Sequence, residues 1–224
     1  MLATIAYRQG DVSKAETVLM EAVSRLAEKG TASNHNTIVN FSLKLARIYS
    51  MNGQDDLAEL GFRNCLAIQK KKYMSGENDE ETATLWVNTL FWYGKFLACR
   101  ERFVEAKQCF DSAYTMCTHV KSIDANQVMV MLYNLGEMSF ATGDLEDALR
   151  HLQNAVILGK STNSPDLASY YTKIGLIYMH KGIYKEASHW CQWGLDTASR
   201  HHDKKASGEA QDCIKHLRTL LDKA

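Results

Sequence analysis

The chain has 224 residues, of which 46% are apolar and only one is proline, and its 26 basic side chains balance 26 acidic ones to a formal net charge of zero. Such a length and composition can bury a continuous core in an almost wholly helical chain. The charge balance removes the electrostatic basis for general nucleic-acid binding, and no apolar run approaches the roughly 18 residues of a membrane-spanning helix.

In chain order, helices are predicted over roughly 1–9, 12–29, 35–52, 55–73, 80–99, 103–119, 125–141, 145–160, 166–181, 184–200 and 206–222. Leu2, Ala3, Ala6 and Tyr7 already sit in a helical pattern before Gly10 breaks it. The first helix is therefore expected to lack its first turns, with any import sequence, anchor or earlier repeat lying upstream. Asp11, Asp55 and Asp144 stand where they can cap the second helix of a hairpin, and Ser164 before Pro165 where it can cap the first helix of the last one. Lys70, Lys71 and Lys72 read as a solvated helix end whose cations face exposed carbonyls. The last helix carries Ile214, Leu217, Leu220 and Leu221 on one side and is expected to cap the array.

A fixed register runs through these helices. An alanine follows each turn residue by five positions: Gly10/Ala15, Gly53/Ala58, Glu101/Ala106, Gly143/Ala148 and Gly182/Ala187, so that successive alanines are 43, 48, 42 and 39 residues apart. Twelve positions before each alanine is a small residue (Ala3, Ala46, Gly94, Gly136, Gly175), and four after it stands Leu19, Phe62, Phe110, Leu152 or Cys191. Seven after it comes another small residue: Ala22, Cys65, Ala113, Ala155 or Gly194. Small residues let two helices approach closely, and the larger one fills the gap one turn on. This is the tetratricopeptide pattern, stretched beyond its usual period of about 34 residues. HEAT and armadillo repeats share the longer period but do not need this register. The expected fold is all-α: a single helical-hairpin solenoid over 1–224, with a truncated repeat 1 in 1–33, repeats 2 to 5 in 34–76, 77–122, 123–163 and 164–203, and a capping helix in 204–224.

Six cysteines and eight histidines raise a metal or redox reading, but no C-x-x-C or H-E-x-x-H occurs. Cys65 and Cys191 fall on interior positions and read as buried, reduced thiols, whereas Cys109 and Cys117 are too far apart on one helix to pair within it. His189, His201 and His202 read as solvated. No catalytic, cofactor-binding or metal-binding residue is assigned, no cofactor is expected, and the chain is not expected to be an enzyme. The functional surface expected is the groove lined by the first helix of each hairpin. Counting from the small residue places Leu43, Arg47, Phe91, Lys95, Tyr133, Glu137, Phe140 and Met179 in it, with Asn40, Asn88 and Asn134 as amides able to bind an extended peptide backbone. Aromatics beside Arg47 and Lys95 suit a peptide carrying apolar side chains and an acidic group.

The run Phe41-Ser42-Leu43-Lys44-Leu45-Ala46-Arg47-Ile48-Tyr49 resembles the mitochondrial tetratricopeptide repeat protein 19 family, with Gly61-Phe62, Cys65, Pro165, Leu167, Met179-His180 and Tyr184 following in step. The stretched segment from Lys70 to Glu81 and the C-terminal cap are similar too, so that the resemblance covers essentially the whole chain. It implies an imported protein on the matrix side of the mitochondrial inner membrane, peripheral within this segment and associated with respiratory complex III (cytochrome bc1). The protein would support assembly and upkeep of that complex and help clear fragments of the Rieske iron-sulfur protein. The alternative is a cytoplasmic adaptor that grips cargo or signalling peptides.

Overall fold

The computed structural model describes residues 12–117 and 120–222, and among these every regular element is a helix. The helix expected over 1–9, the turn at Gly10, the cap at Asp11 and the last two residues expected in 103–119 lie outside the described residues. The chain divides into two compact units, Met1–Ser122 and Ile123–Ala224.

The first unit holds α1 (Val12–Glu28), α2 (Asn36–Met51), α3 (Asp55–Met74), α4 (Glu80–Ala98) and α5 (Phe103–Cys117). Helices α2 and α3 form one hairpin and α4 and α5 the next, with α1 packed on α2 and α4 packed on both α2 and α3. The second unit holds α6 (Ala125–Ala141), α7 (Leu145–Thr162), α8 (Leu167–His180), α9 (Tyr184–Arg200) and α10 (Lys204–Leu221). There α6/α7 and α8/α9 are the hairpins, and α10 packs against both α9 and α8.

The register read from the sequence is the packing register. Ala15, Ala58, Ala106, Ala148 and Ala187 are all fully buried at 0% exposure. A Cβ placed on Gly94 would come within 2.9 Å of the Phe110 ring, and one on Gly136 within 2.6 Å of Leu152 Cγ, so each glycine marks a helix crossing that the large residue opposite fills. Phe62, Phe110 and Leu152 are buried to 1% or less and each adds about 1.5–3 kcal/mol by leaving water. The hairpin turns repeat as well: Gly53, Gly143 and Gly182 have φ of 72°, 84° and 72°, and Glu101 takes the same left-handed place at 60°.

Helix caps follow the sequence less closely. Asp144 caps α7 as expected, accepting from the Asp147 N–H at 3.1 Å. Gln54 rather than Asp55 is the N-cap of α3, and Asp55 stands in the first turn. Ser164 accepts from the Asp166 N–H, and the N-cap of α8 is Asp166, because the chain first closes a turn in which the Leu167 N–H donates to the Ser164 carbonyl at 3.4 Å. Unanticipated caps are His35 on α2, Asp79 on α4, Asp124 with Gln127 in a capping box on α6, and Asp203 on α10.

Two further expectations are corrected. Lys72 is not solvated: it is 9% exposed and donates to Asn36 Oδ1 at 2.8 Å, while Asn36 Nδ2 donates to Thr82 Oγ1 at 3.0 Å. Gln69 reaches the same oxygen at 3.4 Å, so one buried asparagine ties the start of α2 to α3 and α4. Cys191 is not a free thiol but is joined to Cys213 as a disulfide, with Cα atoms 6.1 Å apart. A single-repeat pattern cannot anticipate this, because the partner comes from α10. Cys65 remains a buried thiol, pushed up to about 12 by burial.

Candidate peptide-binding site

In the first unit α2 and α4 bound a cavity of about 500 Å³ lined by Asn40, Leu43, Lys44, Arg47, Glu80, Glu81, Thr84, Leu85, Asn88, Trp92 and Ser122. Asn36, Val39 and Leu43 of α2 are buried, and Asn40, Lys44 and Arg47 stand beside them on the same half of the helix, at the cavity. Arg47 lies over Trp92, its guanidinium carbon 3.5 Å from the ring centroid. That stacking fixes a planar, permanently charged fork in place before any ligand arrives, which lowers the ordering cost of binding. Asn40 and Asn88 add amide donors and acceptors on facing helices, Leu43 and Leu85 give an apolar floor, and Thr84 is linked to Ser122 by a 2.7 Å hydrogen bond. A peptide backbone can be held by the two amides while an acidic side chain meets Arg47 and Lys44.

In the second unit α6, α8 and α10 bound a cavity of about 450 Å³ lined by Tyr133, Glu137, Ser169, Thr172, Lys173, Leu176, Glu209, Asp212, Cys213 and His216. Tyr133 stacks on Tyr170 with ring centroids 4.6 Å apart. Burial, followed by the charges of Glu137 and Glu209, pushes the Tyr133 hydroxyl well above its ordinary value, so it stays protonated. Glu137 is paired with Lys173 at 2.7 Å.

Of the residues counted into the groove, Asn40, Leu43, Arg47 and Asn88 line the first cavity and Tyr133 and Glu137 the second. Phe91 instead packs edge-on against Trp92 and Phe110, and Lys95 is exposed without lining the cavity. Asn134 is 5% exposed and donates to the Val130 carbonyl of its own helix at 2.6 Å. Phe140 sits against His180, with Lys173 over its ring. Met179 is core, packed with Ala187, Cys191, Cys213 and Leu217, because α10 covers the position that an uncapped hairpin would leave open. Sequence reasoning missed Lys44, Trp92 and Lys173. All three stand two positions before the repeat's small residue, at Ala46, Gly94 and Gly175, and four after Asn40, Asn88 and Ser169, hence on the same helical face. That recurrence was the signal available.

Among the described residues no group of three or more histidine, cysteine or acidic side chains could hold a metal ion, and no helix is long and apolar enough to cross a membrane.

A tetratricopeptide repeat model matches residues 128–166. Over 99% of its length the chain is similar to tetratricopeptide repeat protein 19, mitochondrial, of Mus musculus, at 24% identity, and to the mitochondrial homologue of Drosophila melanogaster at 22%. It covers 61% and 60% of those two proteins, and so spans about three fifths of the curated relatives it matches. The resemblance read from Phe41 to Tyr184 thus extends along the whole chain. Among solved structures, a kinesin light chain with nearly identical tetratricopeptide-like repeats from Podosopora anserina superimposes with a TM-score of 0.72 at 19% identity, covering 91% of this chain and 94% of its own. The all-helical tetratricopeptide-type fold expected from the sequence is borne out.

Proposed function

We propose that this chain, similar along its length to the tetratricopeptide repeat 19 proteins, is a non-catalytic interaction scaffold of mitochondria. It binds respiratory complex III from the matrix side of the inner membrane and supports assembly and upkeep of the complex, including clearance of Rieske iron-sulfur protein fragments. The observation that carries the reading is the joint one. The relatives matched over 99% of the chain are named mitochondrial, and the first unit holds a preformed cavity with a stacked arginine and two facing amides.

Mechanistically the cavities hold a segment of a partner by its backbone and side chains, with no bond made or broken by the scaffold. Removal of a Rieske fragment then falls to a separate protease, with the scaffold presenting or displacing the segment. Contact with the membrane-embedded complex is peripheral for this segment.

Native electrophoresis of gently solubilised mitochondria carrying an epitope-tagged protein tests the proposal. Co-migration of the tag with cytochrome bc1 is the expected result. A tag found in the cytosol, unassociated with the complex, would overturn it and favour the adaptor that grips cargo or signalling peptides.

A further inference from the structure

The cavity of the second unit differs in chemistry from that of the first, and from that difference we infer that it selects a cationic side chain, arginine or lysine, of an extended peptide, with α10 acting as a recognition wall as well as a cap. The inference rests on the reading of these cavities as peptide sites and specifies the residue this one takes.

The charge on the cavity walls is unbalanced. Glu137, Glu209 and Asp212 face it against one lysine, Lys173. Lys173 is already committed, held 2.7 Å from Glu137 with its ammonium 5.8 Å from the Phe140 ring centroid. Glu209 and Asp212 are then left one turn apart on α10, where like charges repel each other. The Ser169 hydroxyl reaches Glu209 at only 3.4 Å. Lys205 comes within 3.9 Å of Glu209 but does not line the cavity and is 88% exposed; Glu209 and Asp212 are exposed as well, so water weakens both this pairing and the repulsion between the two carboxylates. A cation entering the cavity relieves the repulsion between the two carboxylates.

The remaining walls suit the same guest. Tyr133 is held rigid by its stack on Tyr170 and offers an aromatic surface on which a guanidinium or ammonium group can lie. Leu176 and Thr172 contact the aliphatic stem of such a side chain while its head meets the carboxylates. A volume of about 450 Å³ is within the range of sites that take a side chain with part of its flanking backbone. An acidic residue, which suits Arg47 in the first unit, would be repelled here.

The test is a selection from a random-peptide library on the immobilised protein, followed by fluorescence anisotropy of the selected peptides. Selected peptides should carry a basic residue, and replacing it by the uncharged citrulline or norleucine should weaken binding about tenfold or more. The same replacement should change binding less than about twofold on the Glu209→Gln/Asp212→Asn protein, because the charges that read it are gone. Peptides that bind independently of any basic residue would overturn the inference, as would an equal loss on both proteins. If binding instead depends on Arg47 and Trp92 alone, the inference falls while the peptide-binding reading stands; if no peptide is retained, both fall. The peptide-side replacement on the unaltered protein decides the matter even should the double variant fail to fold.

Discussion

Two glycines within helices should respond to alanine in opposite directions. Gly136 lies at the α6/α7 crossing, where an added Cβ would stand 2.6 Å from Leu152 Cγ and 3.2 Å from the Ala148 carbonyl oxygen. Neither contact can swing away, since one is a branch point and the other backbone. Overpacking of this kind costs about 1–3 kcal/mol. Alanine recovers about 1 kcal/mol of helix propensity, which leaves Gly136→Ala destabilised by about 1 kcal/mol net. Gly208 in α10 has nothing within 4 Å of the added carbon, so Gly208→Ala keeps the whole propensity gain of about 1 kcal/mol. The melting temperature by far-ultraviolet circular dichroism should then fall by about 2–4 °C for the first and rise by a similar amount for the second. Urea titration of each variant checks that the change lies in the midpoint rather than the slope. Equal stabilisation by both substitutions would refute the close helix crossing and, with it, the repeat register.

Asn36→Ala removes the shared acceptor of Lys72 and Gln69 and should destabilise the protein by about 2 kcal/mol, read as a lower urea midpoint. Burial pushes the Cys65 thiol up to about 12 and those of Cys109 and Cys117 up to about 11, while Cys99 is exposed, so native alkylation near pH 8 should label Cys99 first by mass spectrometry. The Thr82 N–H and hydroxyl hold the Asp79 carboxyl below its ordinary value, and hydrogen bonds from Arg100 and Arg102 do the same for Asp55 and Glu59. Because these folded-state values are lowered, their stabilisation is complete above the unfolded carboxylate value near about 4 and is lost as pH falls through the folded values. The urea midpoint should therefore drop on acidification below about pH 4, and less steeply for Asp79→Asn, which keeps a cap acceptor but does not titrate.

The fold was legible in the sequence because its determinant is local and repeated. An alanine at a fixed distance from each turn, and a glycine or alanine on the first helix of the same hairpin, state where helices cross, and the buried Ala58, Ala106, Ala148 and Ala187 stand at those crossings. Half of the site was legible for the same reason: Arg47, Asn40 and Asn88 follow from helical phase alone. What stayed hidden depends on neighbours that no single repeat encodes. Met179 has the phase of a groove residue, yet α10 lays Cys213 and Leu217 over it. Lys72 sits in a basic run typical of a solvated helix end, but Asn36, distant in sequence, draws it inside. Glu209 and Asp212 are part of an amphipathic cap in the sequence, and only its packing against α8 turns them toward a cavity.

The scaffold role is tested most directly by affinity purification of the epitope-tagged protein from gently solubilised mitochondria, in its own form and as Arg47→Glu with Trp92→Ala. Cytochrome bc1 subunits should be enriched with the unaltered protein and depleted about tenfold or more with the variant at equal abundance of the tagged chain. Equal recovery with both forms would contradict binding through the first-unit cavity, and absence of those subunits from both would contradict the complex III role itself.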